Sequence, residues 1–313
     1  MDIEKFTDEL IFFGRQERMQ DLAIHPYEEH MRVLFRKNTS IHLYKELSFE
    51  DAHQVISRFK YLGKMDIGEK RKVQLGAITY RTKELIQRLR LSTVGDYRLQ
   101  ESLVARFLYP LSDDTQHFFL PEQLLIVTQQ TRPTGLYLFS GPTGSGKTTL
   151  MYHLAKKEDG QVITIEDPVE IEEPQFLQLQ TNEKIQQTYD QLIQLSLRHR
   201  PDLLIIGEIR DKKTAAAAIR AALTGHKVFA TIHARGVAET LDRIRDLVGE
   251  NQELEHCLAG VIYQRLLSAT DGRTGALLAY EFKDKAVMSD WRENLTKLAR
   301  EGRIDETTLQ IER

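Results

Sequence analysis

The segment Gly141-Pro142-Thr143-Gly144-Ser145-Gly146-Lys147-Thr148-Thr149 decides the fold. Residues 135–140 (GLYLFS) ahead of it form a short apolar run with the character of a buried strand, and residues 150–157 behind it have helical spacing. Strand, then G-x-x-x-x-G-K-[ST], then helix is the context that a phosphate-binding P-loop requires. The glycines let backbone N–H groups turn inward around phosphates, and the positive end of the next helix adds to the attraction. In that pattern Lys147 reaches the β- and γ-phosphates and the Thr148 hydroxyl serves Mg²⁺. All nine residues, Gly141 through Thr149, belong to the candidate nucleotide site.

Outward from this loop, strand and helix patterns alternate, which predicts an α/β unit with a mainly parallel sheet. Strands are expected at 136–140, 161–166, 176–179, 203–207 and 228–232, and helices at 189–198, 213–223 and 237–248. In such sheets ligands collect at the carboxyl ends of the strands. Three acidic or imidazole groups follow strands in that way. Residues 203–208 (LLIIGE) deliver Glu208, as a Walker B element delivers a carboxylate to Mg²⁺ or water, with Gly207 where an aspartate is usual. Residues 163–170 (ITIEDPVE) present Glu166 and Asp167, and Pro168 takes the chain out of the strand. Glu166 is the candidate general base, although Glu208 could also sit one water from the γ-phosphate. His233 follows the strand at 228–232 and can sense the γ-phosphate by hydrogen bonding. His226, just before that strand, is a weaker candidate.

The first 110 residues read differently. A helix over 3–19, a strand at 21–26, a hairpin at 31–36 and 41–44, a helix from Ser48 and arginine-rich strands at 85–94 and 102–109 describe an α+β domain. Residues 111–116, with Asp113 and Asp114, have linker composition. The expected division is therefore 1–110, linker 111–116, and 117–313.

The 313 residues, at ~150 per domain, fit two domains. A net charge of −3 runs against the basic footprint of a nucleic-acid-gripping protein, so no direct nucleic-acid binding is expected. No apolar run approaches the ~20 residues of a membrane span, and no cationic signal segment opens the chain. The single cysteine, Cys257, has no partner in the chain for a disulfide or a thiolate zinc site and is expected to be a packing residue.

Together these motifs resemble the ATPases of type II secretion, type IV pili and competence pili. The resemblance rests on the P-loop, an aspartate box at 164–170, a Walker B region over 198–211, and a histidine box from Ala221 to His233; weaker signatures lie at 21–26 and 65–71. It implies a RecA-like ATPase domain with a C-terminal helical extension, preceded by a smaller PAS-like domain that covers the nucleotide. It further implies ATP and Mg²⁺ as ligands, a homohexameric ring, and a cytoplasmic motor held at the inner face of the membrane by a polytopic platform protein, which moves pilins indirectly. Arg90 and Arg106 match the positions from which the first domain stabilises transition-state charge. Longer members carry a four-cysteine zinc loop that Cys257 alone cannot supply. Gly76-Ala77 and Leu99-Gln100-Glu101 also depart from the usual arginine-bearing pattern. The compact layout is most similar to the competence-pilus assembly ATPases of Gram-positive bacteria. A retraction motor and a nucleotide-binding scaffold without turnover are the alternatives.

Overall fold

The computed structural model describes the chain except residues 38–39, 83–85, 110–116, 183–184, 250–251, 284–286 and 313. The expected linker, 111–116, lies outside the described residues. The chain divides into two compact units, one of Met1–Pro110 with Glu170–Glu172, the other of Leu111–Val169 with Glu173–Arg313.

The first unit contains α1 (Ile3–Gln16), β1 (Asp21–Tyr27), β2 (His30–Lys37), β3 (Ser40–Leu47), α2 (Phe49–Leu62), β4 (Gln74–Arg81), β5 (Ile86–Gly95) and β6 (Glu101–Leu108). The strands make one antiparallel sheet ordered β3-β2-β1-β6-β5-β4. Asp2 and Ser48 cap the two helices by accepting the amides of Lys5 and Asp51. Phe6, Leu10, Val55, Ile56 and Phe59 of the helices are buried together with Leu22, Ile24, Phe35, Leu89, Leu91 and Phe107 of the strands. Each such side chain contributes about 1.5–3 kcal/mol when fully buried. Strand β4 had no counterpart in the sequence reading, because Gly76 and Ala77 dilute its alternation.

The second unit contains α3 (Pro121–Gln130), β7 (Gly135–Ser140), α4 (Lys147–Ala155), β8 (Val162–Glu166), β9 (Leu177–Gln180), α5 (Tyr189–Leu197), β10 (Leu203–Ile206), α6 (Lys212–Leu223), β11 (Lys227–Ile232), α7 (Val237–Val248), α8 (Gln252–Cys257), β12 (Leu258–Ser268), β13 (Thr274–Phe282), β14 (Met288–Ser289), α9 (Trp291–Arg300) and α10 (Glu306–Glu312). The eight-stranded sheet runs β14-β13-β12-β7-β11-β10-β8-β9. Its six strands from β12 to β9 are parallel, and β13 and β14 close one edge antiparallel. Strands β7, β8, β10 and β11 are buried along their whole length, as expected of parallel strands covered on both faces.

The mainly parallel α/β reading therefore holds, with one revision at the C-terminal side. In place of a purely helical C-terminal extension, β12 and β13 add two long strands before α9 and α10. In β12 the alanine, leucines and glutamine are good helix formers, and pairing with β7 on one side and β13 on the other overrides them, while Val261, Ile262 and Tyr263 favour a strand in their own right.

Candidate nucleotide-binding site

The P-loop leaves the carboxyl end of β7 and turns into α4. Gly141 has φ 139°, and a Cβ there would lie 2.2 Å from the Gln264 carbonyl oxygen, so both torsion and space demand glycine. Gly146 caps α4 in the left-handed region, φ 86°, which aims the first turn of the helix at the loop. From β12, Gln264 Nε2 donates to the Ser145 carbonyl at 2.7 Å and braces the loop from below. Lys147 is buried, its Nζ donating to the carbonyls of Gly141 (2.9 Å) and Pro142 (2.8 Å). The Ser145 hydroxyl is buried with no hydrogen-bond partner among the described residues. A glycine-lined loop with a lysine, an unsatisfied hydroxyl and a helix N-terminus fits a phosphate chain.

Glu166 ends β8 and is only 4% exposed. Its Oε1 accepts the hydroxyls of Tyr152 and Thr164, each at 2.6 Å. Glu208 stands just past the end of β10, two strands from the P-loop strand, with its side chain 16% exposed. One of its oxygens meets Arg210 Nε at 2.5 Å and the other meets His233 Nε2 at 3.2 Å. His233 follows β11 and its side chain is 49% exposed. Glu208 thus raises the pKa of Arg210 through a hydrogen bond. Gly207 takes the aspartate position in tight surroundings. A Cβ there would come within 3.1 Å of the Ile165 carbonyl and 3.2 Å of the Tyr189 hydroxyl.

Thr148, in the first turn of α4, and the carboxylate of Glu208 are oxygen donors suited to Mg²⁺. Among the described residues no group of three His, Cys, Asp or Glu could hold a metal by itself.

His226 lies at the opposite end of β11 from His233, a six-residue strand away, and its Nδ1 meets Thr224 Oγ1 (3.1 Å) and the Ala221 carbonyl (3.2 Å). Six residues of strand span about 20 Å, so His226 closes the end of α6 and takes no part at the P-loop edge. Arg90 and Arg106 belong to the first unit, directly opposite each other on β5 and β6. Arg106 donates from Nε to Asp21 at 2.8 Å, which raises its pKa, and its side chain is 52% exposed.

Two groups escaped the sequence reading. The hydroxyls that hold Glu166 were not singled out, although Thr164 lies inside the aspartate box. A cavity of about 940 Å³ also borders Gly141, Pro142 and His233 and extends past Arg265 to Trp291 and Glu312. There Arg265 pairs with Glu312 Oε1 at 2.7 Å, and burial pushes the Glu312 carboxyl up.

The sequence profile of the type II/IV secretion system protein family matches residues 2–306. The chain belongs to that family. It is 44% identical to the competence protein ComGA of Streptococcus pneumoniae (strain ATCC BAA-255 / R6), over 99% of this chain and 97% of that protein. It is 36% identical to the type IV pilus assembly ATPase TfpB of Acinetobacter baylyi, over 85% of this chain and 46% of that longer protein. Among solved structures, the pilus retraction motor PilT with bound ADP superposes with a TM-score of 0.76 at 24% identity, covering 97% of this chain and 96% of that one. This family member is close to the competence ATPases, and its RecA-like and α+β parts follow the fold of the family's motors.

Proposed function

We propose that the chain is an ATP-hydrolysing motor that powers assembly of a competence-type pilus or pseudopilus for DNA uptake, working as a homohexamer. The observation that carries this reading is kinship with a competence protein at 44% identity along 99% of the chain. It is joined to a P-loop whose lysine, helix N-terminus and flanking carboxylates suit triphosphate chemistry. Behind retraction stands a likeness of fold to the motor PilT, and fold alone does not fix direction of work. A scaffold without turnover has nothing to recommend it while Lys147, Glu166 and Glu208 are all present.

In this reading the loop amides and Lys147 bind the β- and γ-phosphates. Thr148 and Glu208 would hold Mg²⁺, whose positive charge would offset the negative charge of the phosphates. Glu166, fixed at the end of β8, accepts the proton of the attacking water. His233 reports the γ-phosphate to Glu208, its partner at 3.2 Å. Arg90 and Arg106 are the arginines of the first domain that this reading assigns to transition-state charge. The motor sits in the cytoplasm, peripheral at the inner face of the membrane through a polytopic platform protein. Among the described residues no helix is long and apolar enough to cross a membrane.

Mg²⁺-dependent phosphate release measured across size-separated oligomers tests the proposal. Turnover is expected to concentrate in the ring fraction and to rise faster than linearly with protein concentration. Full activity in a proven monomer would refute the ring, and ATP binding without turnover in every fraction, platform protein included, would refute the motor.

A further inference from the structure

Two tyrosine hydroxyls in this chain are held by backbone carbonyls. Tyr137 donates to the carbonyls of Gln130 and Pro133, and Tyr109 to those of Gly14 and Met19. Tyr152 differs. It lies on α4, five residues beyond Lys147, and is fully buried against the Phe176 ring at 5.3 Å between centroids. Its hydroxyl donates to Glu166 Oε1 at 2.6 Å and accepts from Gln178 Nε2 at 2.7 Å. Gln178 is oriented in turn, because its Oε1 accepts the amide of Glu173 at 2.9 Å. Thr164 donates to the same Glu166 oxygen from within β8. The helix that carries the P-loop lysine is thereby tied through one hydroxyl to the carboxylate at the end of β8, and β9 sets the direction of that hydroxyl.

We propose that Tyr152 is a positioning residue for the hydrolytic reaction: with Thr164, and oriented by Gln178, it fixes the rotamer and plane of the Glu166 carboxylate relative to the phosphate-binding loop. The inference rests on the reading of Glu166 as the base. Two hydroxyl donors on one carboxylate oxygen favour the ionised form, which a base needs and burial opposes. Burial, with Glu166 adding to it, pushes the Tyr152 phenol far up, so it remains a protonated donor throughout the working range. A general base misplaced by a fraction of an ångström loses rate without losing substrate, because the phosphates are held by other groups.

Four full-length proteins test this: wild type, Tyr152→Phe, Glu166→Gln and the double variant. ATP turnover and binding of a fluorescent ATP analogue are measured on each, with Thr164→Val as a second isosteric probe. Tyr152→Phe is expected to lower kcat about 10–100-fold, the range seen when a group that orients a functional ligand is removed. KM and analogue affinity are expected to stay within about twofold, since neither contact is to the phosphates. In the Glu166→Gln background the same substitution is expected to have no further effect, and Thr164→Val to lower kcat in the same direction. If Glu166→Gln keeps only a small residual rate while Tyr152→Phe turns over at the wild-type rate, or loses the same factor in both backgrounds, the positioning role is wrong and the base assignment stands. If Glu166→Gln itself keeps wild-type kcat, the base assignment falls and the positioning role with it.

Discussion

Two glutamates stand at the ends of neighbouring parallel strands, and the protein treats them oppositely. Glu166 is 4% exposed and is held by two neutral hydroxyls on one oxygen. Glu208 is 16% exposed and is held by a guanidinium on one oxygen and an imidazole on the other. Register places Ile165 beside Ile206, so the two carboxylates leave almost the same level of the sheet. Their surroundings, more than their positions, separate them. A carboxylate between a guanidinium and an imidazole suits a charge-organising role beside Mg²⁺ and a sensor. One fixed by hydroxyls in a dry pocket suits proton abstraction. Pairs of titratable groups in unlike environments commonly divide such labour.

Substitution at either strand end sharpens or breaks this division. The largest effect is expected from Glu166→Gln, which keeps shape and removes basicity: kcat falls by about 10²–10⁴-fold while ATP binding persists, as for loss of a general base. Glu208→Gln is expected to act mainly on the metal, weakening the apparent affinity for Mg²⁺ about 10–100-fold in titrations of turnover, with part of the rate recovered at high Mg²⁺. Equal responses to Mg²⁺ in the two variants would erase the distinction. The smallest effect serves as a control on folding. Cys257 is buried and its thiol is pushed up to about 11, so the reactive thiolate is scarce at neutral pH. A thiol reagent at pH 7.5 is expected to leave Cys257 unlabelled in the native protein and in both glutamine variants, and to label it in denaturant. The sign follows from the raised pKa, because labelling grows only as pH climbs toward 11. Rapid native labelling of one variant would assign its lost activity to unfolding.

What could be read from the sequence follows from how each constraint is written. The P-loop was legible because its backbone demands are spelled as glycines, and Gly141 and Gly146 adopt the positive φ that those letters announce. Glu166, Glu208 and His233 were legible as polar residues ending apolar runs, which in a parallel sheet puts them at one edge. His226 falls outside that rule, since the residue before a strand and the residue after it face opposite edges. The Tyr152–Glu166–Gln178 network was hidden because its members lie 14 and 26 residues from Tyr152 in the chain and meet only through tertiary packing. Strand β12 carries a β signature at Val261, Ile262 and Tyr263, but the helix-forming Ala, Leu and Gln around them obscure it until β7 and β13 offer partners.

The most direct test of the whole account is phosphate release by the full-length protein with ATP and Mg²⁺, wild type beside Lys147→Ala. The account predicts turnover by the wild type, and loss of both turnover and ATP binding when the buried ammonium of the loop is removed. Undiminished hydrolysis by Lys147→Ala would contradict it, because the chemistry would then lie somewhere other than the carboxyl edge of this sheet.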